Sequence, residues 1–372
     1  MTDQELLYTM ELTLALRHQS SHQRTLIEAM GSATAVYENR HDISHSFEHL
    51  SPRLAETVAT MERFKQQCEN ELDYAARHKI QILTRADDHY PARLRECEDA
   101  PLVLYTLGHA DFNAKHVISI VGTRRCTERG RDLTTQLVKG ISEHIPGALI
   151  ISGLAYGIDV AAHRAALGAS LPTVGILAHG LDEIYPRSHR STAIEMLQHG
   201  GLMTEFMSHT PIDRLNFLQR NRIVAGTADA VVVVESPVRG GSLNTARLAA
   251  DYHRDVFTFP GRPTDVNSEG CNLLIRRNAA TLITNASDLL TDLGIAITPS
   301  PEDAQAQLFP DLQPEEQAIV DALAAADTDL PLPELSQALG QPVFKITPLI
   351  LTLEMKGIIK VMPGPRYHLI GR

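Results

Sequence analysis

From residue 116 onward the chain alternates two hydrophobic patterns. Short apolar runs occur at HVISIVG, ALIIS, TVGILAHG, GLMTEF, DAVVVVE, DVFTFPG and TLIT, each separated from the next by a helical or loop-plus-helix segment. The segment after the first run places Leu133, Leu137, Ile141 and Ile145 four apart, one apolar stripe suited to packing a helix on a sheet. Strands that alternate with helices need crossover connections, so the sheet should be mostly parallel and covered on both faces. Residues 116–295 therefore read as an α/β, Rossmann-like, doubly wound domain.

The flanks follow other patterns. Residues 1–80 alternate helical periodicity with polar breaks and show no strand signal, which predicts a small helical domain. Residues 81–115 mix two short strands with a Tyr-Pro turn and read as a connector packed on the core. A Pro-, Asp- and Gln-rich linker over 296–312 leads to a tail, 313–372, with three helical patterns and a hairpin around Pro363, Gly364 and Pro365, the order of a winged helix. Its third helix carries only Lys345 and Lys356 amid apolar residues, which favours protein docking or packing over reading a DNA groove. In HDISHSFEH, His41, His45 and His49 share one helical face; a metal site or a solvated histidine face would both fit, and no cysteine or carboxylate pattern completes the former.

Composition narrows the class. Four separated cysteines, Cys68, Cys97, Cys126 and Cys271, form no C-x-x-C pair, pointing to a reduced, cytoplasmic protein without a disulfide framework or zinc knuckle. No run approaches the length of a membrane span, and the first residues lack the basic flank and apolar core of a secretory signal. Net charge is -11, distributed as -6 over residues 1–115, +1 over 116–290 and -6 over 291–372. All but one of the 17 positive residues in the middle segment are arginines, the side chain suited to bidentate phosphate contacts.

In a parallel sheet, ligands bind beyond the C-terminal strand ends, where helix N-termini present free N–H groups. Three turns have that position: VGTRRCTERG, SGLAYGID and ESPVRGGSLNTA. None carries the G-x-G-x-x-G and downstream acid of a dinucleotide site or the G-x-x-x-x-G-K-[ST] of a P-loop, so no nucleotide cofactor and no metal are expected. Instead Gly122 and Thr123 run directly into Arg124 and Arg125, Gly153 and Gly157 bracket the second turn, and Gly241 and Ser242 open the third helix. Such turns suit phosphate. The loop HTPIDRLNFLQRNRIVAG adds an aromatic, Phe217, among Asn216, Arg220, Asn221 and Arg222, the combination that stacks unpaired bases while neutralising phosphates.

Six ordered motifs, VGTR, SGLAYGIDVAAH, GLDEIYP, NFLQRNRIVAG, ESPVRGGSLNTA and FTFPG with GCNLLIR, resemble the DNA-processing protein A (DprA, or Smf) family over about residues 82–290. The resemblance implies a non-enzymatic recombination mediator that binds single-stranded DNA, helps load the RecA recombinase during natural transformation, and forms a homodimer through the Rossmann-like domain. It also implies a SAM-like helical N-terminal domain and a winged-helix C-terminal one. Carried over to this chain, the family's DNA groove falls on Gly122, Thr123 and Arg124, on Ser152, Gly153 and Gly157, on Asn216, Phe217, Arg220, Asn221 and Arg222, and on Gly241, Ser242 and Asn244. Tyr156 stands where the family usually has arginine, exchanging a cation for a ring able to stack on a base. His179 stands where the family has a small residue or cysteine. A nucleotide-binding sensor or nucleotide hydrolase on the same sheet is the alternative, although no paired carboxylates stand out as acid and base. A transcription regulator led by the winged helix is disfavoured by the acidic tail.

Overall fold

The computed structural model describes residues 2–17, 19–43, 47, 51–295, 312–326, 330–356, 358–362 and 366–369. The chain divides into two compact units, Met1–Ile297 and Thr298–Arg372. The first is built on one nine-stranded sheet. Its strands in chain order are β1 (Gln81–Thr84), β2 (Val103–Gly108), β3 (Val117–Val121), β4 (Leu149–Ser152), β5 (Thr173–Ile176), β6 (Gly200–Thr204), β7 (Ala230–Val233), β8 (Asp255–Thr258) and β9 (Thr281–Leu282). In space they run β1-β2-β6-β5-β4-β3-β7-β8-β9. All pairings from β6 to β9 are parallel, while β1 with β2 and β2 with β6 are antiparallel. The chain steps from β3 outward to β6, then returns to lay β7 on the other side of β3. Neighbouring crossovers therefore leave in opposite directions, which opens a crevice at the C-terminal ends of β3 and β7.

The seven apolar runs from residue 116 onward are all strands of this sheet. Side chains alternate between its faces: Val117 and Val121 join the core on one side with Leu149, Ile151, Val231 and Val233, while Ile118 and Ile120 join the core on the other with Ile150 and Val232. Both faces are covered, so the strands read as continuous apolar runs. The helix Glu128–His144 packs through Leu137 and Ile141, fully buried on the expected stripe. The segment 81–115 differs from its reading as a connector. Its two strands are the edge of the sheet itself, with Tyr105 opposite Thr204 and Leu107 opposite Leu202. Edge pairing of this kind is a long-range contact and leaves no local signature.

The helical segment shares a core with that edge. Helices Asp3–Ala15, Ser20–Met30, Ala33–Glu38, Pro52–Ala59 and Lys65–His78 bury Met10, Leu12, Leu26 and Met61 together with Val103, Tyr105 and Met207. The Glu71 carboxylate accepts the Ser208 N–H at 3.0 Å and the Ser208 hydroxyl at 3.1 Å, tying the last of these helices to the chain beyond β6. His41 is exposed, and His45 and His49 lie outside the described residues. Among the described residues no cluster of His, Cys, Asp and Glu is placed to hold a metal ion, and no helix is long and apolar enough to cross a membrane.

In the second unit, helices Pro314–Ala325, Leu332–Leu339 and Val343–Met355 enclose Ile319, Leu335, Ile346 and Leu353. A three-stranded antiparallel sheet follows the order β10 (Leu330–Pro331), β12 (Arg366–Leu369), β11 (Ile359–Met362). This is a winged-helix-like arrangement. The expected hairpin tip at Pro363, Gly364 and Pro365, and the linker up to residue 311, lie outside the described residues.

Glu11 generates a pH prediction. It is fully buried in the helical core, and neither carboxylate oxygen has a hydrogen-bond partner among the described residues. Burial pushes its pKa up to about 7. Between the ordinary value and that one the folded state holds a proton the unfolded state has released, so this group's contribution is fully present at acid pH and is lost as pH rises through 7. Glu11→Gln should therefore flatten the fall in melting temperature between about pH 4.5 and 7. Thermal unfolding of both proteins across that range checks it, and parallel profiles would contradict it.

Candidate nucleic-acid interface

The turns after β3, β4 and β7 meet around a cavity of about 840 Å³ at the sheet's switch point. Gly122, Thr123, Arg124 and Arg125 line it from the first turn, Gly153 and Asp159 from the second, and Arg239, Gly240, Gly241, Ser242 and Asn244 from the third. A fourth wall is the segment read as a loop from sequence. It is a helix, Arg214–Gly226, capped by the Asp213 carboxylate, which accepts the Leu215 N–H at 2.7 Å. Arg214, Phe217, Leu218, Asn221 and Val224 of this helix line the cavity, a spacing that keeps them on one face. Five arginines, at 124, 125, 214, 220 and 239, meet two carboxylates, those of Asp159 and Asp213, among the described lining residues. The field there is positive although the chain is acidic.

The three turns do not offer the same chemistry. Glu235, buried at the end of β7, accepts the Thr127 N–H at 2.8 Å and the Thr127 hydroxyl at 2.5 Å. Thr127 caps the Glu128–His144 helix, so an internal carboxylate already sits at that N-terminus. The Glu235 carbonyl also accepts the Thr123 N–H at 2.7 Å. The first turn thus presents guanidinium groups rather than a free helix end. The second turn brings its own carboxylate, Asp159, in the first turn of Ile158–Gly168. The N-caps of the second and third helices, Gly157 and Gly240, both lack a side-chain cap, but of the three helices only the third, Gly241–Asp251, carries no acidic residue in its first turn. That N-terminus faces the cavity and suits an anion.

Arg220 forms the cavity floor. It is buried, Nη1 donates to the Ile176 carbonyl, and Nε has no partner among the described residues. Burial lowers its pKa and raises that of Asp159, and each charge opposes the other's shift. A Cβ at Gly153 would overlap both the Arg220 guanidinium and the Asp159 carboxylate, so a side chain there would displace this couple. The Gly153 carbonyl accepts from His163 Nε2 at 2.6 Å, and His163 Nδ1 faces the Thr173 hydroxyl at 2.7 Å. Burial pushes His163 down to about 4, keeping the ring neutral at physiological pH and the turn anchored. At the rim the Arg124 guanidinium lies over the Phe217 ring, 5.1 Å from its centroid, and Tyr185 meets Phe217 edge-on at 6.1 Å.

Some sequence-predicted contacts lie elsewhere. Ser152 is fully buried and donates to the Ile120 carbonyl at 2.6 Å, a bond within the sheet. Asn216 is buried and its amide donates to the Pro211 carbonyl at 3.2 Å. Arg222 is buried on another face of its helix, paired with Glu205 at 2.5 Å. The reason is helical phase: a side chain five positions after Phe217 points away from it. His179 is buried, with Nδ1 against the Gly180 carbonyl, and does not line the cavity. Gly157, at φ +82°, packs on the Thr123 carbonyl and the Arg124 backbone, where a side chain would collide. Together with the exposed Tyr156 it borders a neighbouring cavity. The sequence motifs do not single out Arg214, Arg239, Asp159, Tyr185, Glu235 or His163; the last closes the motif SGLAYGIDVAAH, and its spacing from Gly153 is the available signal.

A sequence description of the family "DNA recombination-mediator protein A" matches residues 81–294. The chain is 35% identical over 320 residues to a putative DNA processing protein DprA of Mycobacterium tuberculosis, covering 79% of this chain and 78% of the relative. It is 31% identical over 315 residues to the protein Smf of Escherichia coli, covering 83% of each. Among solved structures, DNA processing protein A from Streptococcus pneumoniae superposes with a TM-score of 0.58 at 27% identity, over 73% of this chain and 97% of that one. The protein of the same name from Helicobacter pylori, described for its single-stranded DNA binding mode, gives 0.52 at 28% identity, over 58% and 95%.

The interior position of Arg222 can be checked directly. Removing one member of a buried ion pair leaves the other charge stranded, at a cost of about 3–5 kcal/mol. Arg222→Ala should lose stability on that scale in urea denaturation, against under about 0.5 kcal/mol for the exposed Arg125→Ala. Equal stabilities would place Arg222 on the surface.

Proposed function

The chain belongs to the DNA recombination-mediator protein A family, and from that premise we propose that it binds single-stranded DNA in the cavity beyond β3, β4 and β7. The observation that carries this reading is the pairing of Phe217 with arginines around one crevice, beside an uncapped helix N-terminus. Guanidinium groups and free N–H groups neutralise phosphates, while an aromatic face accepts any base, so binding needs no sequence preference. The Helicobacter pylori relative described for single-stranded DNA binding supports the same reading.

The bound strand is then handed to the RecA recombinase during DNA uptake in natural transformation, in the cytoplasm, with two copies joined through the α/β unit. These finer steps rest on family resemblance. A binding role rather than catalysis is consistent with how the polar lining is engaged: the Ser242 hydroxyl donates to Ser236 at 2.8 Å, and the carboxylates of Asp159 and Asp213 accept the N–H groups of Ala155 and Leu215. Neither a nucleotide cofactor nor a metal is needed for this chemistry.

Fluorescence anisotropy with labelled oligothymidine tests the site. Arg124→Ala and Arg239→Ala should each weaken binding and reduce the slope of log K against log salt by about 0.7, the value for one lost phosphate contact on a single strand. Phe217→Ala should cost about 1–3 kcal/mol with little change in that slope. Unaltered affinity in all three variants would sink the assignment. Filament assembly by RecA on the strand should quicken with the intact protein and not with Arg124→Ala, and sedimentation should give a particle of twice the chain's mass.

A further inference from the structure

A second cavity, about 800 Å³, lies beside the first. The two are divided where Gly157 rests on the backbone of Thr123 and Arg124. Arg125 and Ala155 line the first cavity, and the next residue of each turn, Cys126 and Tyr156, lines the second. The helices Glu128–His144 and Ile158–Gly168 form its walls. Val160, Ala161 and Ala165 give it an apolar floor, and Arg131, Lys139 and Arg164 give it a cationic rim. Among the described lining residues one carboxylate is present, Glu143, 3.7 Å from Lys139. Tyr156 stands on the divide with half its surface exposed. Its ring meets His189 edge-on at 4.9 Å and its hydroxyl accepts from Ser188 at 3.4 Å.

We propose that the single strand held in the first cavity crosses the divide at Tyr156, stacks a base on that ring, and continues in the second cavity with phosphates on Arg131 and Arg164. The proposal rests on the reading of the first cavity as a single-strand site. Three observations support this continuation. An unpaired strand carries both phosphates and uncovered base faces, which match a cationic rim over an apolar floor; a duplex buries those faces in its stack and could use the rim alone. The divide carries the Tyr156 ring and is flanked on the first cavity's side by Arg124 and Arg125, so a strand leaving that cavity meets cations and then a ring at the crossing. Contacts to His189 and Ser188 hold the ring in place before a base arrives, which lowers the entropy cost of stacking. The tyrosine in place of the family arginine thereby replaces a phosphate contact with a stacking one, and the phosphate contacts move to Arg131 and Arg164.

Two oligothymidines separate the cavities, one of about 5 nucleotides, near the short end of the usual span of a single-strand site, and one of about 20, beyond its long end. The double variant Arg131→Ala, Arg164→Ala should bind the short strand as the unaltered protein does. For the long strand its affinity should fall about tenfold or more, and its salt slope by about 1.4 for two lost contacts. Unchanged affinity and slope for the long strand would overturn the proposal, as would an equal loss for both strands. Arg124→Ala is the control: if it leaves the short strand's affinity unchanged, the first-cavity reading fails and this one with it. Because the chain contains no tryptophan, Tyr156→Trp installs a single reporter at the divide. Its emission should be quenched by the long strand, and an unquenched ring in a saturated complex would also overturn the proposal.

Discussion

The site depends on one buried carboxylate. Glu235 lies two residues beyond β7, buried, and a charge in that position would be costly without partners. Its oxygens are met by the backbone and hydroxyl of Thr127 at the cap of the Glu128–His144 helix, and its carbonyl holds the Thr123 N–H. A single residue thus ties the strand that feeds the third turn to the turn and helix that follow β3. The crevice between β3 and β7 exists because the chain reverses direction in the sheet there. Glu235 fixes its shape, and the arginines of the first turn are displayed from that fixed frame.

The same carboxylate changes where the positive potential comes from. Helix N-termini in an open α/β sheet are ready anion sites, but here one is occupied by Glu235 and another carries Asp159 in its first turn. The remaining helix end, at Gly240 and Gly241, works alongside guanidinium groups borne on three different walls. A phosphate held by a turn is fixed to one geometry. A crevice lined by long arginine side chains around a ring suits a chain of phosphates and bases that must be gripped without regard to sequence. A local positive patch of this kind is compatible with an acidic chain, its net charge of -11 lying mostly in the flanks.

Beneath this surface lies a layer with a different task. Arg220 and Asp159 oppose each other under Gly153, His163 anchors the Gly153 carbonyl, and Ser152 bonds within the sheet. Ser152, Asp159 and His163 share a motif with the lining residue Gly153, and Arg220 shares one with the lining residues Phe217 and Asn221. Motif membership therefore does not separate a residue that meets the ligand from one that holds the turn in place, and burial does.

The sequence by itself determined the alternation of strands and helices, the glycine turns beyond three of the strands, and the arginines set directly beside them. Each of these is a local property: periodicity, turn chemistry and adjacency act over a few residues. Tertiary structure alone decided the rest. Arg220 reaches the cavity and Arg222 does not because 214–226 folds as a helix, whose phase sets side-chain direction. Glu235 fills a helix end 108 residues before it in the chain, and residues 81–108 complete a sheet whose other strands come later. Tyr156 belongs to a second cavity only because Gly157 packs on the turn of Thr123 and Arg124. Contacts of that range depend on where the fold brings distant segments together, and no local pattern encodes them.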